Sequence, residues 1–353
     1  MAGRKIYHLM IDRFFPSGTV DSTGNFKGGT IMDIIRHLDY IHGLGMSGIM
    51  LTPFFKSAAY HGYHTISFDE VDPHFGTWDD IACLIAEVHR RGMIIVADFV
   101  ANHCHSSSSL FTENCNSDWF IRDSDGKYIC YAGISELPMF DTNNPEVSDF
   151  LTDKAEHLCR MGFDALRLDH AAGPSFEFWE KFRTKIKRNY PNVELIGEVW
   201  GSLDFCPRKK LRFACNKLLF GAQEARQMEY VGVLDGVLDF RYREILLEAM
   251  NNHESLTKNG KLYEKVKRHF RRYPSDFKLW LFLDNHDLNR ILFECGFDKD
   301  TVTKAIRFTE QWQKPFLMFY GTETDLTNTK SIFDGTPYAD ERVRIPLTQV
   351  RRK

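Results

Sequence analysis

The chain has 353 residues, 43% of them apolar and 26% charged, with a formal net charge of −3. That near-balance gives no electrostatic reason to expect nucleic acid or an anionic membrane as partner. The length is enough to bury a large core, and no run of about 18 apolar residues is present to form a membrane span. The opening MAGRKIYHLMIDRFF has too short an apolar run for a secretory signal. Eight cysteines (Cys83, Cys104, Cys115, Cys130, Cys159, Cys206, Cys215, Cys295) include no C-x-x-C pair and do not form a disulfide framework. Several lie in apolar helical patterns, Cys83 in DDIACLIAEV among them, and read as reduced core residues of a cytoplasmic enzyme.

Short apolar runs alternate with stretches of helical period. Strands are expected at KIYHLMID, SGIMLTPF, MIIVADFV, FDALRLDH, VELIGEVW, DGVLDFRY, LWLFLDNHD and PFLMFYG. Helices are expected at TIMDIIRHLDYIHGLG, TWDDIACLIAEVHRRG, EVSDFLTDKAEHLCRMG, FEFWEKFRTKIKRN, YEKVKRHFRRY and TVTKAIRFTEQWQ. The first three end in Gly45, Gly92 and Gly162, the residue type that most readily adopts a left-handed helix stop. Eight strands alternating with helices predict an α/β fold, a (β/α)₈ TIM barrel, with a doubly wound open sheet as the alternative. Residues 103–145 are rich in Ser, Asn, Asp and Gly and read as a small domain inserted after the third strand. It divides the barrel into residues 1–102 and 146–353.

GFDALRLDH places two opposite charges on alternate positions of a buried strand. Side chains alternate faces, so Arg167 and Asp169 share one face and Leu166 and Leu168 the other. In a barrel the charged pair faces the interior near the C-terminal mouth, where barrel enzymes place their chemistry. An adjacent arginine favours the charged form of a carboxyl, and a fixed carboxylate suits a covalent nucleophile. Alone, the pair reads slightly better as a structural ion pair plugging the barrel. Other strand ends change the balance: Glu198 closes apolar ELIGEVW, His286 and Asp287 close FLDNHD, and Asp98, Asn102 and His103 follow in ADFVANH. A carboxyl in an apolar setting has a raised pKa and can act as a general acid. Two carboxyls in nucleophile and acid roles suit glycosidic bond cleavage.

DFVANH (98–103), GFDALRLDH (162–170), GEVW (197–200) and FLDNHD (282–287) resemble, in order, the four strand-end motifs of the α-amylase superfamily. YHLMIDRF (7–14), YHGYHTISFDEVDPHFGT (60–77) and YADERVRIPL (338–347) extend the resemblance along most of the chain. It implies Asp169 as nucleophile, Glu198 as acid/base and Asp287 as the group that favours the oxocarbenium-like transition state. Arg167 would hold Asp169, and Asp98 would organise the site from beneath. His103 and His286 would bond hydroxyls of the sugar at the cleavage point. Tyr63 would stack on that sugar's ring, and Arg344 would contact the same sugar. GEVW and FLDNHD are most similar to the neopullulanase and cyclomaltodextrinase branch, which implies hydrolysis of α-1,4-glucans or maltooligosaccharides. A 4-α-glucanotransferase using the same intermediate is the near alternative, and a non-catalytic carbohydrate-binding scaffold the remote one.

The resemblance breaks at the family's calcium site. Asn102 is present, but LPMFD (137–141) puts Met139 where an Asp is expected, and position 173 is Gly instead of His. No metal is therefore expected there, and no cofactor. The sequence stops at RIPLTQVRRK, before an eighth barrel helix or the family's C-terminal β-sandwich, as expected of either a minimal protein or a fragment; dimerisation could cover the strip that a missing helix would leave.

Overall fold

The computed structural model describes residues 3–23, 25–114, 118–201 and 206–348, so Cys115 lies outside the described residues. The eight apolar runs form β1 (Lys5–Leu9), β2 (Gly48–Leu51), β3 (Ile94–Phe99), β4 (Ala165–Leu168), β5 (Glu194–Gly197), β6 (Gly236–Leu238), β7 (Lys278–Phe282) and β8 (Phe316–Phe319). All pair in parallel in chain order, and β8 returns to β1, closing a barrel. The closed barrel rules out the open-sheet alternative.

Alternation then divides each strand. Ile6, Met50, Val96, Ala165, Ile196, Trp280 and Leu317 fill the barrel interior, while Leu166, Leu168, Leu195 and Leu281 join the larger core outside it. The register sets Asp98 beside Arg167, and Arg167 beside Ile196. Two charged side chains on neighbouring strands thus occupy the same layer.

The helices are α1 (Ile31–Arg36), α2 (Leu38–Gly43), α3 (Trp78–Arg90), α4 (Ser109–Asn114), α5 (Pro145–Met161), α6 (Phe176–Asn189), α7 (Lys210–Phe220), α8 (Ala222–Glu229), α9 (Phe240–Asn251), α10 (Lys261–Phe270), α11 (Ile291–Glu294) and α12 (Lys299–Glu310). Thr30 with Asp33 and Thr77 with Asp80 form capping boxes that start α1 and α3. Asn144 caps α5 ahead of Pro145. Gly162 ends α5 in the left-handed conformation, at φ 109°. None of the described helices is long and apolar enough to cross a membrane.

Three expectations need correction. DGVLDFRY is not one strand: β6 stops at Leu238, and the Asp239 side chain caps α9 by accepting from the Tyr242 amide. Cys83 is exposed, because α3 buries Ile81, Leu84, Ile85 and Val88 and residue 83 lies off that face. Cys206 and Cys215 are also exposed, whereas Cys159 is buried as expected of its helix and Cys104 is buried too. Five helices, α4, α7, α8, α9 and α11, were not anticipated from the pattern.

Between β3 and α5 the chain forms α4, a tight turn at Tyr131–Gly133 and short antiparallel bridges, including His103 with Met139 and Phe120 with Phe140. Phe111, Phe120, Tyr128 and Phe140 pack ring on ring within it.

α8, α9 and α10 meet around a charged cluster whose centre, His269 with Glu224 and Asp239, has no access to solvent. His269 places Nδ1 3.0 Å from Glu224 Oε1 and Nε2 2.9 Å from Asp239 Oδ2, and Arg272 reaches Glu224 at 2.6 Å. Arg241, Tyr273 and Lys314 also face this cluster. Burial alone would lower the His269 pKa, but the two carboxylates reverse the effect and lift it to about 9 from 6.5. A folded pKa above the unfolded one stabilises the fold fully below about 6.5, and that contribution is lost as pH rises through about 9. His269→Gln should therefore flatten the alkaline decline of stability between those pH values. An unchanged slope of unfolding free energy against pH would exclude the charged imidazole as its source.

Candidate active site

Three strand ends converge on one guanidinium. Arg167 Nη1 donates to both oxygens of Asp98 at 2.8 Å and to Asp169 Oδ1 at 2.7 Å. Its Nη2 stands 2.6 Å from Glu198 Oε1, an ion pair not aligned as a hydrogen bond. Arg167 and Asp98 are buried, and Asp169 and Glu198 each keep 7% exposure, enough to reach a ligand in the mouth. One cation thus fixes three carboxyl groups from β3, β4 and β5.

Beyond β4 the chain turns sharply. His170 adopts φ 39°, and its amide donates to Glu198 Oε2 at 3.2 Å. Its ring meets Tyr131 edge-on, with centroids 4.8 Å apart. The amides of Ala171 and Glu198 bond to the Glu198 and Leu168 carbonyls, stitching the ends of β4 and β5 together.

Burial pushes the Glu198 carboxyl up to about 8; Asp169, Asp287 and Asp98 add to the rise and Arg167 opposes it. Burial likewise lifts Asp98 to about 7, against Arg167 and the Tyr63 hydroxyl. Asp287 goes the other way. Burial would raise it, but His286, Arg344 and Arg167 hold it below the usual carboxylate range. Its side chain is one-third exposed, touching His286 Nε2 and Arg344 Nη2 at 2.9 Å each. One oxygen-rich site therefore contains a carboxyl poised to be protonated at neutral pH and another held ionised, the separation that divides acid from electrostatic roles.

Tyr63 donates to Asp98 at 2.7 Å and stacks on His286 with centroids 5.1 Å apart. Arg344 also donates from Nε to the His286 carbonyl at 3.0 Å and pairs with Asp340. Every residue singled out in the sequence lies in this one constellation. His103 adds a detail that no motif conveys. Its Nε2 meets the Tyr63 carbonyl at 3.0 Å and its Nδ1 meets Asn102 Nδ2 at 3.2 Å. Carbonyl and amide partners assign the proton to Nε2. A sugar hydroxyl would have to displace one of those partners to bond the ring.

Sequence reasoning missed Tyr131, which lies stacked on His103 at 4.7 Å and within electrostatic reach of Asp169, Glu198 and Asp287. It missed Tyr60 and Asp340 as well, which flank the Arg344 guanidinium. The motif YHGYH did contain Tyr60, but only Tyr63 carried a reason to be chosen.

Residues 11–125 and 114–346 match the model of the alpha amylase catalytic domain. The chain belongs to the alpha-amylase family. Family relatives include Alpha-amylase 2 of Dictyoglomus thermophilum, 30% identical over 97% of this chain and 58% of that protein. A cyclomaltodextrinase of Geobacillus thermopakistaniensis is 30% identical over 88% of this chain and 52% of its own length. The chain spans about half the length of such curated relatives. Among solved structures, the alpha-amylase of Geobacillus thermoleovorans complexed with acarbose superposes with a TM-score of 0.76 at 25% identity, covering 99% of this chain and 75% of that one. Maltogenic amylase, cyclomaltodextrinase and neopullulanase relatives place the chain near that branch of the alpha-amylase family.

The residues at the alpha-amylase family's calcium position do not fit that ion. Met139 offers a thioether and pairs its backbone with His103. Gly173 has no side chain, and a Cβ there would fall 2.0 Å from Asn102 Oδ1. One amide oxygen is the only hard side-chain donor left, short of the six or so oxygens calcium takes. Among the described residues no group of three His, Cys, Asp or Glu could hold a metal.

Proposed function

We propose that this protein is a retaining glycosidase that cleaves α-1,4-glucosidic bonds of maltooligosaccharides or starch-like α-glucans. The observation that carries the reading is the shared guanidinium, which keeps Asp169 and Glu198 close together at the mouth of the barrel. Close carboxyls, about 5 Å apart, favour the retaining route, whereas inverting pairs need about 6.5–9.5 Å for an intervening water. In the first step Glu198 gives its proton to the leaving glycosidic oxygen as Asp169 attacks the anomeric carbon, forming an ester and releasing the shortened chain. In the second, Glu198 takes a proton from water as that water displaces Asp169, with the α configuration restored. Asp287 bonds sugar hydroxyls and favours the positive charge that develops on the ring, while Arg344 and His286 hold Asp287. Tyr63 presents its ring to the same sugar. Asp98 fixes Arg167 from below. We read the site as independent of calcium, so chelator should leave turnover unchanged.

Time-resolved chromatography of maltoheptaose, with and without chelator, tests the reading. Shorter products alone support hydrolysis; shorter and longer products together mean that a sugar hydroxyl takes the place of water. An untouched substrate rejects both in favour of a binding scaffold. Because the acid must carry its proton, kcat/KM should hold below pH 8 and fall above it, following the Glu198 pKa of about 8. An alkaline limb near pH 5 would remove Glu198 from the acid role.

A further inference from the structure

α8 touches both catalytic strand ends. From its first turn, Gln223 Nε2 donates to the Val199 carbonyl at 2.6 Å, one residue past Glu198. From the residue that closes the helix, the Tyr230 hydroxyl donates to the Ala171 carbonyl at 2.8 Å, two residues past Asp169. Trp179 Nε1, on α6, also reaches that carbonyl, at 2.9 Å. Behind these contacts the helix is fastened by polar groups. Gln223 Nε2 also bonds Gln227 Oε1 at 3.1 Å, Gln227 Nε2 bonds Asp239 Oδ1 at 3.0 Å, and Glu224 joins the buried cluster around His269. Gln223, Glu224, Gln227, Asp239 and His269 are all buried.

A helix that buries amides and carboxylates contributes little that a leucine-faced helix would not exceed, since buried charges repay their desolvation poorly. Directional bonds supply what packing cannot, a fixed position for the groups that they hold. We propose that α8 is a brace that sets the position of Glu198 relative to Asp169, with Gln223 and Tyr230 as positioning residues for the two strand ends. The inference rests on the glycosidase reading above. Neither residue reaches the reacting atoms. Both act through backbone carbonyls, and the stitched amides of Ala171 and Glu198 pass that constraint to the carboxyl groups.

The test is the double variant Gln223→Met/Tyr230→Phe, which keeps volume and removes both donors. With maltoheptaose, kcat should fall about 10- to 100-fold, as a misplacement of roughly 1 Å would produce, with KM nearly unchanged. The alkaline limb of kcat/KM should move to lower pH as Glu198 gains access to water. Hydrogen exchange of the Ala171 and Glu198 amides should quicken. Unchanged exchange at those two amides in the folded variant overturns the brace. A wild-type protein that leaves maltoheptaose intact overturns the glycosidase reading instead, and the exchange measurement still decides the brace. Should the double variant fail to fold, Tyr230→Phe alone, with Trp179 still on the Ala171 carbonyl, carries the same exchange readout.

Discussion

Glu198→Gln is expected to lower kcat on maltoheptaose by about 10²- to 10⁴-fold, the range for loss of a positioned general acid. Glutamine keeps the shape of the side chain and its contact with the His170 amide but has no proton to give. The leaving group provides the diagnosis. An aryl α-maltoside whose phenol departs without protonation should lose much less in the first step. The ester on Asp169 should then accumulate, because no base remains to activate water, and a burst of phenol should precede slow turnover. Azide needs no deprotonation and should restore turnover, giving a glycosyl azide of retained configuration. Equal losses on both substrates, with no burst, would show that Glu198 holds structure instead of moving a proton.

Arg167→Met should cost about 3–5 kcal/mol of stability, the usual penalty for removing one partner of a buried charged group. Asp98, Asp169 and Glu198 would then face one another without their common cation. Burial already lifts Asp98 to about 7 and Glu198 to about 8, and removing Arg167 raises both further. Folded carboxyl pKa values above the unfolded ones favour the fold at low pH and penalise it as pH rises through the unfolded values. The deficit of the variant should therefore stay level from about pH 5 to 6 and grow as pH rises through about 7 and 8, as read by urea denaturation from about pH 5 to 9. In that upper range Asp98 and Glu198 ionise beside Arg167 in the parent but stay protonated in the variant. Arg167→Lys should recover only part of it, since a single ammonium cannot span three carboxyls. A deficit independent of pH would show that packing, not charge, is what Arg167 contributes.

The residues that line the candidate site were the legible ones. Polar side chains closing apolar strands stand out from their surroundings, and Asp98, Arg167, Asp169, Glu198, His286 and Asp287 all lie together at the mouth. The eight strands were equally visible, since each is a short buried run. The helices between β5 and β6 were not, for a physical reason. α7 buries none of its side chains, and α8 buries Gln223, Glu224, Gln227 and Glu229, so neither carries a full apolar stripe for periodicity to find. Asp239 looked like strand because its capping role depends on a turn that hydropathy does not record. The filled hydrogen bonds of His103 depend on Tyr63, forty residues away, and only the folded chain reveals them.

The barrel closes between the segments most remote in sequence. Lys5 pairs with Phe316 and His8 with Phe319, and farther on Phe14 bridges Leu347 while Arg13 bonds the Arg344 carbonyl. During synthesis, β1 must wait with an unsatisfied edge while seven further strands emerge. Arg344, which steadies Asp287, arrives later still. A chain cut short before residue 344 would therefore lack both the seam that closes the ring and the arginine that steadies Asp287. The barrel and its mouth are completed by the same stretch of chain, and nearly at once.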